Sequence, residues 1–188
     1  MRPIFGLLLA TSIVVSSTMA YESAFPATEA GTSEIKTLPA GTLLKSASGG
    51  DYFENGNSLF RPLFRYISTH GIAMTVPVEA TVDDAAMYFW VAQGEISKVT
   101  GDENGVEVID IPERLVASRG ARGGYSRDNF ERIREELTAW VAAREDVRIT
   151  GDAYVVYWNG PFTPWFVKRF EVHLPIERVA ASNDGPHR

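Results

Sequence analysis

The chain has 188 residues, 24 of them acidic and 18 basic, for a formal charge of −6; that balance argues against a nucleic-acid partner, because phosphates are held by basic surfaces. It has no cysteine and three histidines, His70, His173 and His187. Disulfides, thiol catalysis and iron–sulfur clusters are therefore excluded, and no histidine spacing suggests a zinc site.

Taken in chain order, residues 1–20 read as a secretory signal peptide. Arg2 is the only charge, Ile4–Val15 is an apolar run, and Thr18 and Ala20 are the small residues before a cleavage site. The run is shorter than the roughly 20 residues of a membrane span, so the expectation is a periplasmic or secreted protein without stable membrane insertion after cleavage. Residues 21–33 are small, polar and aperiodic, and read as a linker to a domain over 34–179. Strands are expected at Ile35–Ser46, Ile72–Thr81, Ala86–Gln93, Val106–Ile111, Arg114–Arg119, Ala153–Trp158 and Phe166–Ile176, several of them rich in β-branched or aromatic residues. A first helix is expected over Ser58–Ser68, with Pro62 near its first turn, where no N–H is needed. Its apolar stripe is Phe60, Leu63, Phe64 and Ile67, and Arg61 and Arg65 lie one turn apart beside it. A second helix begins after Ser126, with Phe130, Ile133, Leu137, Trp140 and Val141 at helical spacing. Residues 180–188 read as a flexible tail.

Two stretches repeat one another. A constant spacing of 73 pairs Pro39 with Pro112, Gly50 with Gly123, Tyr52 with Tyr125 and Phe64 with Leu137. Each is followed by a helix and two strands, so two βαββ repeats forming an α+β fold are expected.

The segment "FRYISTHGIAMTVPV", residues 64–78, and the segment "YWNGPFTPWFVKRFEVHLPI", residues 157–176, resemble the SOUL/haem-binding protein family. The first matches its helix ending in Tyr-Ile followed by Ile-Ala-Met-Thr-x-Pro-Val; the second matches its Pro-rich loop, basic pair and Pro-Ile closing strand. The "STHG" loop departs from the family's usual Gly-Gly or Gly-x-Asn. The resemblance implies a distorted antiparallel barrel of about eight strands with two helices, similar to the effector-binding domain of gyrase-inhibitor-like proteins. It also implies Pro77 at a bulge or edge, Met74 beneath the first helix, and haem or another tetrapyrrole as the ligand.

On that reading Phe60, Leu63 and Phe64 form an apolar bed and Arg61 and Arg65 face the propionates, because a guanidinium bonds a carboxylate bidentately. Phe166 and Lys168, in the loop before the last strand, complete the site, and His70 is the candidate axial ligand. The competing reading makes Phe60 and Phe64 core residues and the arginines a solvated face. Glu171 is the other candidate: the resemblance extends to regulator-type relatives whose closing-strand acid meets flat cationic ligands in a cavity, and to relatives that hydrolyse small molecules with such an acid. Here it is available either for a structural pairing with Lys168, Arg169 or another basic group, since a buried carboxylate is costly unless paired, or as the acid/base of a small-molecule binder or hydrolase working between the repeats, with Tyr154, Tyr157, Trp158 and Trp165 available. No Ser-His-Asp set, phosphate loop or metal motif is present. The chain therefore reads as a binding module rather than an enzyme, with the hydrolase alternative open.

Overall fold

The computed structural model describes residues 21–160 and 163–179; the expected signal peptide and tail lie outside the described residues. The elements are β1 (Glu22–Ser23), β2 (Ser33–Leu38), β3 (Gly41–Ala47), α1 (Tyr52–His70), β4 (Thr75–Val76), β5 (Val78–Thr81) and β6 (Ala86–Trp90), then a 3₁₀ turn at Gln93–Lys98. There follow β7 (Glu107–Ile111), β8 (Arg114–Arg122), α2 (Arg127–Ala142), β9 (Val147–Ile149), β10 (Tyr154–Tyr157) and β11 (Arg169–Arg178). Eight strands form one antiparallel half-barrel in the order β2-β8-β11-β10-β5-β6-β3-β7; β9 pairs with β11, and β1 pairs in parallel with β4. This is the expected α+β architecture.

Prolines set the strand limits. The single strand expected at Ile35–Ser46 is two strands, β2 and β3, because Pro39 cannot donate to a ladder. The two are separated widely in the sheet, β2 at one end of the strand path and β3 beside β7 at the other. Likewise Ile72–Thr81 is interrupted at the buried, cis-linked Pro77 between β4 and β5. Pro77 thus sits where no ladder N–H is required, as the resemblance implied, and Met74 packs against the main core.

Helix α1 starts six residues before the expected Ser58. Glu54-Asn55-Gly56-Asn57 has poor helix propensity, but Asp51 is a strong N-cap: its carboxylate accepts from the Phe53 N–H at 2.7 Å. Pro62 consequently lies in the helix interior rather than the first turn, where its missing N–H leaves the Ser58 carbonyl without a helical donor. The helix stops at Gly71, whose φ of 63° is the left-handed cap that favours glycine. Helix α2 is capped by Ser126, which accepts from Asn129 N–H at 3.3 Å, and buries Phe130, Ile133, Leu137 and Val141 as expected.

The two faces of the sheet differ in chemistry. On one, both helices cover Leu44, Phe89, Val155, Phe170, Val172 and Leu174 in the main core; burying each such side chain contributes about 1.5–3 kcal/mol. The opposite, inner face carries a second cluster that includes Leu38, Leu43, Trp90, Val116, Val156 and Trp158, interleaved with the buried polar residues Glu79, Ser118, Glu171 and His173. The strands alternate faces, as the two-residue period requires.

Both helices occur in the order strand, helix, strand, strand. Within them, the buried Leu59, Leu63 and Ile67 lie 74 residues before the buried Ile133, Leu137 and Val141, not the expected 73. Phe64 is 51% exposed where Leu137 is fully buried.

Candidate functional site

The first-helix residues divide between the two readings. Leu63 is fully buried against the sheet. It belongs to the core and cannot be part of an exposed ligand bed, which corrects the expectation for that residue. Phe60 is half-buried, edge-on to Phe89 at 5.5 Å. Phe64 is half exposed and stacks on Phe60, with ring centroids 5.6 Å apart and an interplanar angle of 16°. Arg61 and Arg65 are exposed beside the pair. Neither takes part in an ion pair or hydrogen bond among the described residues, in contrast to Arg119, Arg127 and Arg132, which all do. The outer face of α1 therefore presents a flat aromatic step flanked by two uncommitted guanidinium groups.

His70 ends the helix with its ring 4.6 Å from that of Tyr66 and Nε2 2.9 Å from Glu103. Its Nε2 is thus engaged by a carboxylate rather than presented to the aromatic step. In the loop before β11, Trp165, Phe166 and Val167 are 69%, 62% and 43% exposed. The strand expected from Phe166 begins instead at Arg169. Lys168 lies over the Tyr125 ring at 4.6 Å. No ring contact, ion pair or hydrogen bond among the described residues joins this loop to Phe60 or Phe64.

Glu171 is 1% exposed on the inner face. Its Oε1 accepts from the Thr28 N–H and the Trp158 indole N–H, both at 2.7 Å. Its Oε2 accepts from Lys36 Nζ at 2.7 Å, Ser118 Oγ at 2.8 Å, His173 Nε2 at 2.7 Å and Thr28 Oγ1 at 3.2 Å. A donating Nε2 leaves His173 Nδ1 as the acceptor for the Tyr154 hydroxyl at 3.1 Å. Burial pushes the Glu171 carboxyl up, but the hydrogen bond and charge of His173 and those of Lys36 outweigh it and bring it to about 2. Burial lowers His173 against the opposing pull of Glu171. Glu171 is paired with a basic group, as the structural reading allowed; that group is Lys36 rather than the neighbouring Lys168 or Arg169.

A second buried carboxylate lies on the same face. Glu79, 3% exposed, accepts from the Trp90 indole N–H at 2.9 Å and pairs with Arg114 at 3.0 Å. Phe25 lies between the two indoles, its ring edge-on to Trp90 and to Trp158, each at 5.7 Å. Lys36 Nζ is 5.2 Å above the same ring. Residues 21–32, expected to be a linker, are therefore packed across the inner face, and Phe25 is 5% exposed.

Glu79, Trp90 and Arg114 went unmarked in the sequence, although "PVEAT" around Glu79 carries a usable signal: one acid in an apolar strand. Phe25 has no such signal, because it stands alone in an aperiodic stretch.

Comparison with known proteins supports the architecture and the family. The sequence pattern described as "SOUL heme-binding protein" matches residues 17–175. No curated protein matches the chain significantly. Among solved structures, the EcmrR C-terminal domain superposes with a TM-score of 0.60 at 15% identity, covering 79% of this chain and 98% of that one. In the EcmrR–DNA complex the TM-score is 0.61 at 15% identity, and the fold covers 79% of this chain but spans only 58% of that one. A hydrolase from Listeria innocua gives 0.54 at 13% identity, covering 80% and 94% of the two chains. At these identities the likeness is one of fold.

Proposed function

The chain belongs to the SOUL haem-binding protein family, and from that premise we propose that it binds haem or a related tetrapyrrole on the outer face of α1. The observation that carries this reading is the Phe60–Phe64 stack, with Phe64 exposed and Arg61 and Arg65 beside it in no ion pair among the described residues. A partly exposed aromatic step beside two cations suits an apolar macrocycle bearing two carboxylates. Propionates take up the guanidinium groups as charge-assisted, bidentate hydrogen bonds. Phe166 and Lys168 supply a further apolar and cationic contact if the loop folds over the ligand. His70 is held by Glu103, so porphyrin affinity on this reading comes from stacking and charge rather than from an axial bond. Haem would supply a redox-active iron; the chain's own residues hold the macrocycle and set its orientation.

The hydrolase alternative receives no support from Glu171, whose oxygens accept six donors from the chain itself. A general base must be within reach of a substrate proton, and here the surrounding side chains occupy those positions.

The test is a haem titration followed at the Soret band. Each propionate contact contributes about 1.5–3 kcal/mol at most, and less when exposed. Arg61→Ala with Arg65→Ala is expected to weaken binding by roughly one to three decades, while a porphyrin with esterified carboxylates is bound alike by both proteins. Equal haem affinity in the double variant would overturn the reading.

We further propose export, on the pattern of Arg2, Ile4–Val15 and Ala20. Mass spectrometry of the protein from its own host is expected to find an N-terminus near Tyr21. Among the described residues no helix is long and apolar enough to cross a membrane.

A further inference from the structure

The connection between β10 and β11 is anchored at its base and exposed at its tip. At the base, Asn159 Oδ1 accepts the Arg169 N–H at 2.7 Å, the Trp158 N–H donates to the Arg169 carbonyl at 3.2 Å, and the Lys168 carbonyl accepts the Gly123 N–H at 3.1 Å. The Tyr125 hydroxyl accepts the Asn159 N–H at 3.1 Å and faces the Asn159 and Arg169 carbonyls at 3.2 and 3.0 Å. Toward the tip, the Pro164 carbonyl accepts the Val167 and Lys168 N–H groups at 3.0 and 3.2 Å. That turn displays three consecutive side chains, Trp165, Phe166 and Val167, all exposed. The two rings are edge-on at 5.9 Å, and the Trp165 indole N–H has no acceptor among the described residues. Apolar side chains held outward together by a built turn mark an interaction surface.

The groups around the base are basic. Lys168 and Arg169 follow the tip directly. Arg169 stands opposite Arg122 of β8 in the antiparallel register, so both side chains leave the sheet on one face, where like charges directly opposite are unfavourable. Arg114 and Arg119, also on β8, pair with Glu79 and Glu136. Arg122 and Arg169 are exposed and in no ion pair among the described residues, and Lys168 lies over the Tyr125 ring rather than beside a carboxylate.

We propose that this loop docks the protein on an anionic lipid surface, with Trp165, Phe166 and Val167 entering the interface and Arg122, Lys168 and Arg169 meeting the lipid phosphates. The shape favours lipid over a protein partner, because a protruding turn needs no matching cavity among acyl chains. The indole favours it as well, since an apolar ring with a free N–H suits the boundary between hydrocarbon and headgroups. The cations stand at the base of the tip, at headgroup level once the tip is inserted. The chain carries −6 overall, so an anionic surface repels the rest of it and approach is favourable only with this loop leading. The proposal does not rest on haem binding, in which Trp165, Arg122 and Arg169 have no part.

The test adds vesicles of phosphatidylcholine and phosphatidylglycerol in equal parts to the full chain without haem, and reads tryptophan emission and its quenching by brominated acyl chains. Residues 1–20 contain no tryptophan, and Trp90 and Trp158 are buried, so Trp165 is the reporter. The native chain is expected to show a blue shift and quenching, both lost in Trp165→Phe. Phe166→Ser with Val167→Ser is expected to weaken partitioning about tenfold. Arg122→Gln with Arg169→Gln is expected to weaken it roughly thirtyfold, at about fivefold per cation, and the native chain is expected to partition as poorly into phosphatidylcholine alone. Native emission unchanged by the anionic vesicles overturns the proposal, as does quenching that survives in Trp165→Phe. Equal partitioning of the native chain and the arginine variant overturns the role of the phosphates. A blue shift that grows with protein concentration in the absence of vesicles would assign the loop to contact between copies instead, and overturn the choice of lipid.

Discussion

At the scale of single residues, Glu171 shows how a buried carboxylate is stabilised. Six donors from five residues, Thr28, Lys36, Ser118, Trp158 and His173, converge on it, and Lys36, its cation, is itself only 13% exposed at the side chain. Glu171→Gln removes the negative charge and leaves the largely buried Lys36 with only the distant, half-exposed Glu34 at 3.9 Å as an ionic partner, so a loss of up to about 3–5 kcal/mol is expected. Adding Lys36→Met to that variant is expected to restore a good part of it, as measured by denaturant unfolding. The pH dependence has a definite sign. Both Glu171 and His173 are lowered in the folded state, so the unfolded chain binds more protons in the acid range and stability falls as pH falls. The His173 contribution is lost first, below about 6.5, the ordinary histidine value. The Glu171 contribution, about 3 kcal/mol, follows between its ordinary value of about 4.5 and its folded value of about 2. Stability that is level between pH 7 and pH 3 would contradict this assignment. Glu171 was singled out in the sequence through the resemblance, which places an acid on the closing strand. Its partner was not, because Lys36 and Glu171 are 135 residues apart and meet only through the β2-β8-β11 order of the sheet.

At the scale of elements, the helices were legible by their apolar spacing and illegible at their ends. The start of α1 is set by one side chain, Asp51, which also pairs with Arg127 at the start of α2. The cap thus fixes one helix and ties it to the other, two roles that substitution separates. Asp51→Asn retains the side-chain acceptor for the Phe53 N–H and loses the ion pair, which is partly exposed and contributes at most about 1 kcal/mol. Asp51→Ala loses both and is expected to cost about 1–2 kcal/mol. Thermal unfolding of the two variants checks the order; an asparagine variant as unstable as the alanine one would place the energy in the ion pair instead of the cap. Strand limits failed where a proline interrupted an otherwise good run. Pro39 and Pro77 each divided one expected strand in two, since a residue without an N–H ends a ladder even among good strand formers. The start of β11 was misplaced for another reason: Phe166 has strand propensity but lies in a turn that leaves it exposed.

At the scale of the whole molecule, the half-barrel separates two chemistries. The face under the helices is sealed by apolar packing. On the outside of α1, Phe64, Arg61 and Arg65 remain exposed; on the inner face, two ion pairs and two indoles enclose Phe25. The overall architecture was legible because alternating strands and two amphipathic helices admit few arrangements. The N-terminal strap, residues 21–32, was not legible. It has neither helical nor strand periodicity, and Phe25 is buried by the face it covers rather than by an element of its own. Leu63 was misassigned to the ligand bed for a related reason: on a helix stripe, only the sheet decides which apolar residues face inward, and it takes Leu59, Leu63, Tyr66 and Ile67 while leaving Phe64 in solvent. The proposed haem site on the outer face of α1 is separated by the sheet from the inner face, and one measurement tests its placement. Haem dissociation constants are determined side by side for the native chain, for Arg61→Ala with Arg65→Ala, and for Gly120→Ala, whose Cβ would stand 2.5 Å from the Thr28 carbonyl oxygen of the strap. The account predicts a loss of roughly one to three decades in the arginine variant and a change of no more than about twofold in Gly120→Ala. An unchanged constant in the arginine variant, with a large change in Gly120→Ala, would contradict it and move the haem to the inner face.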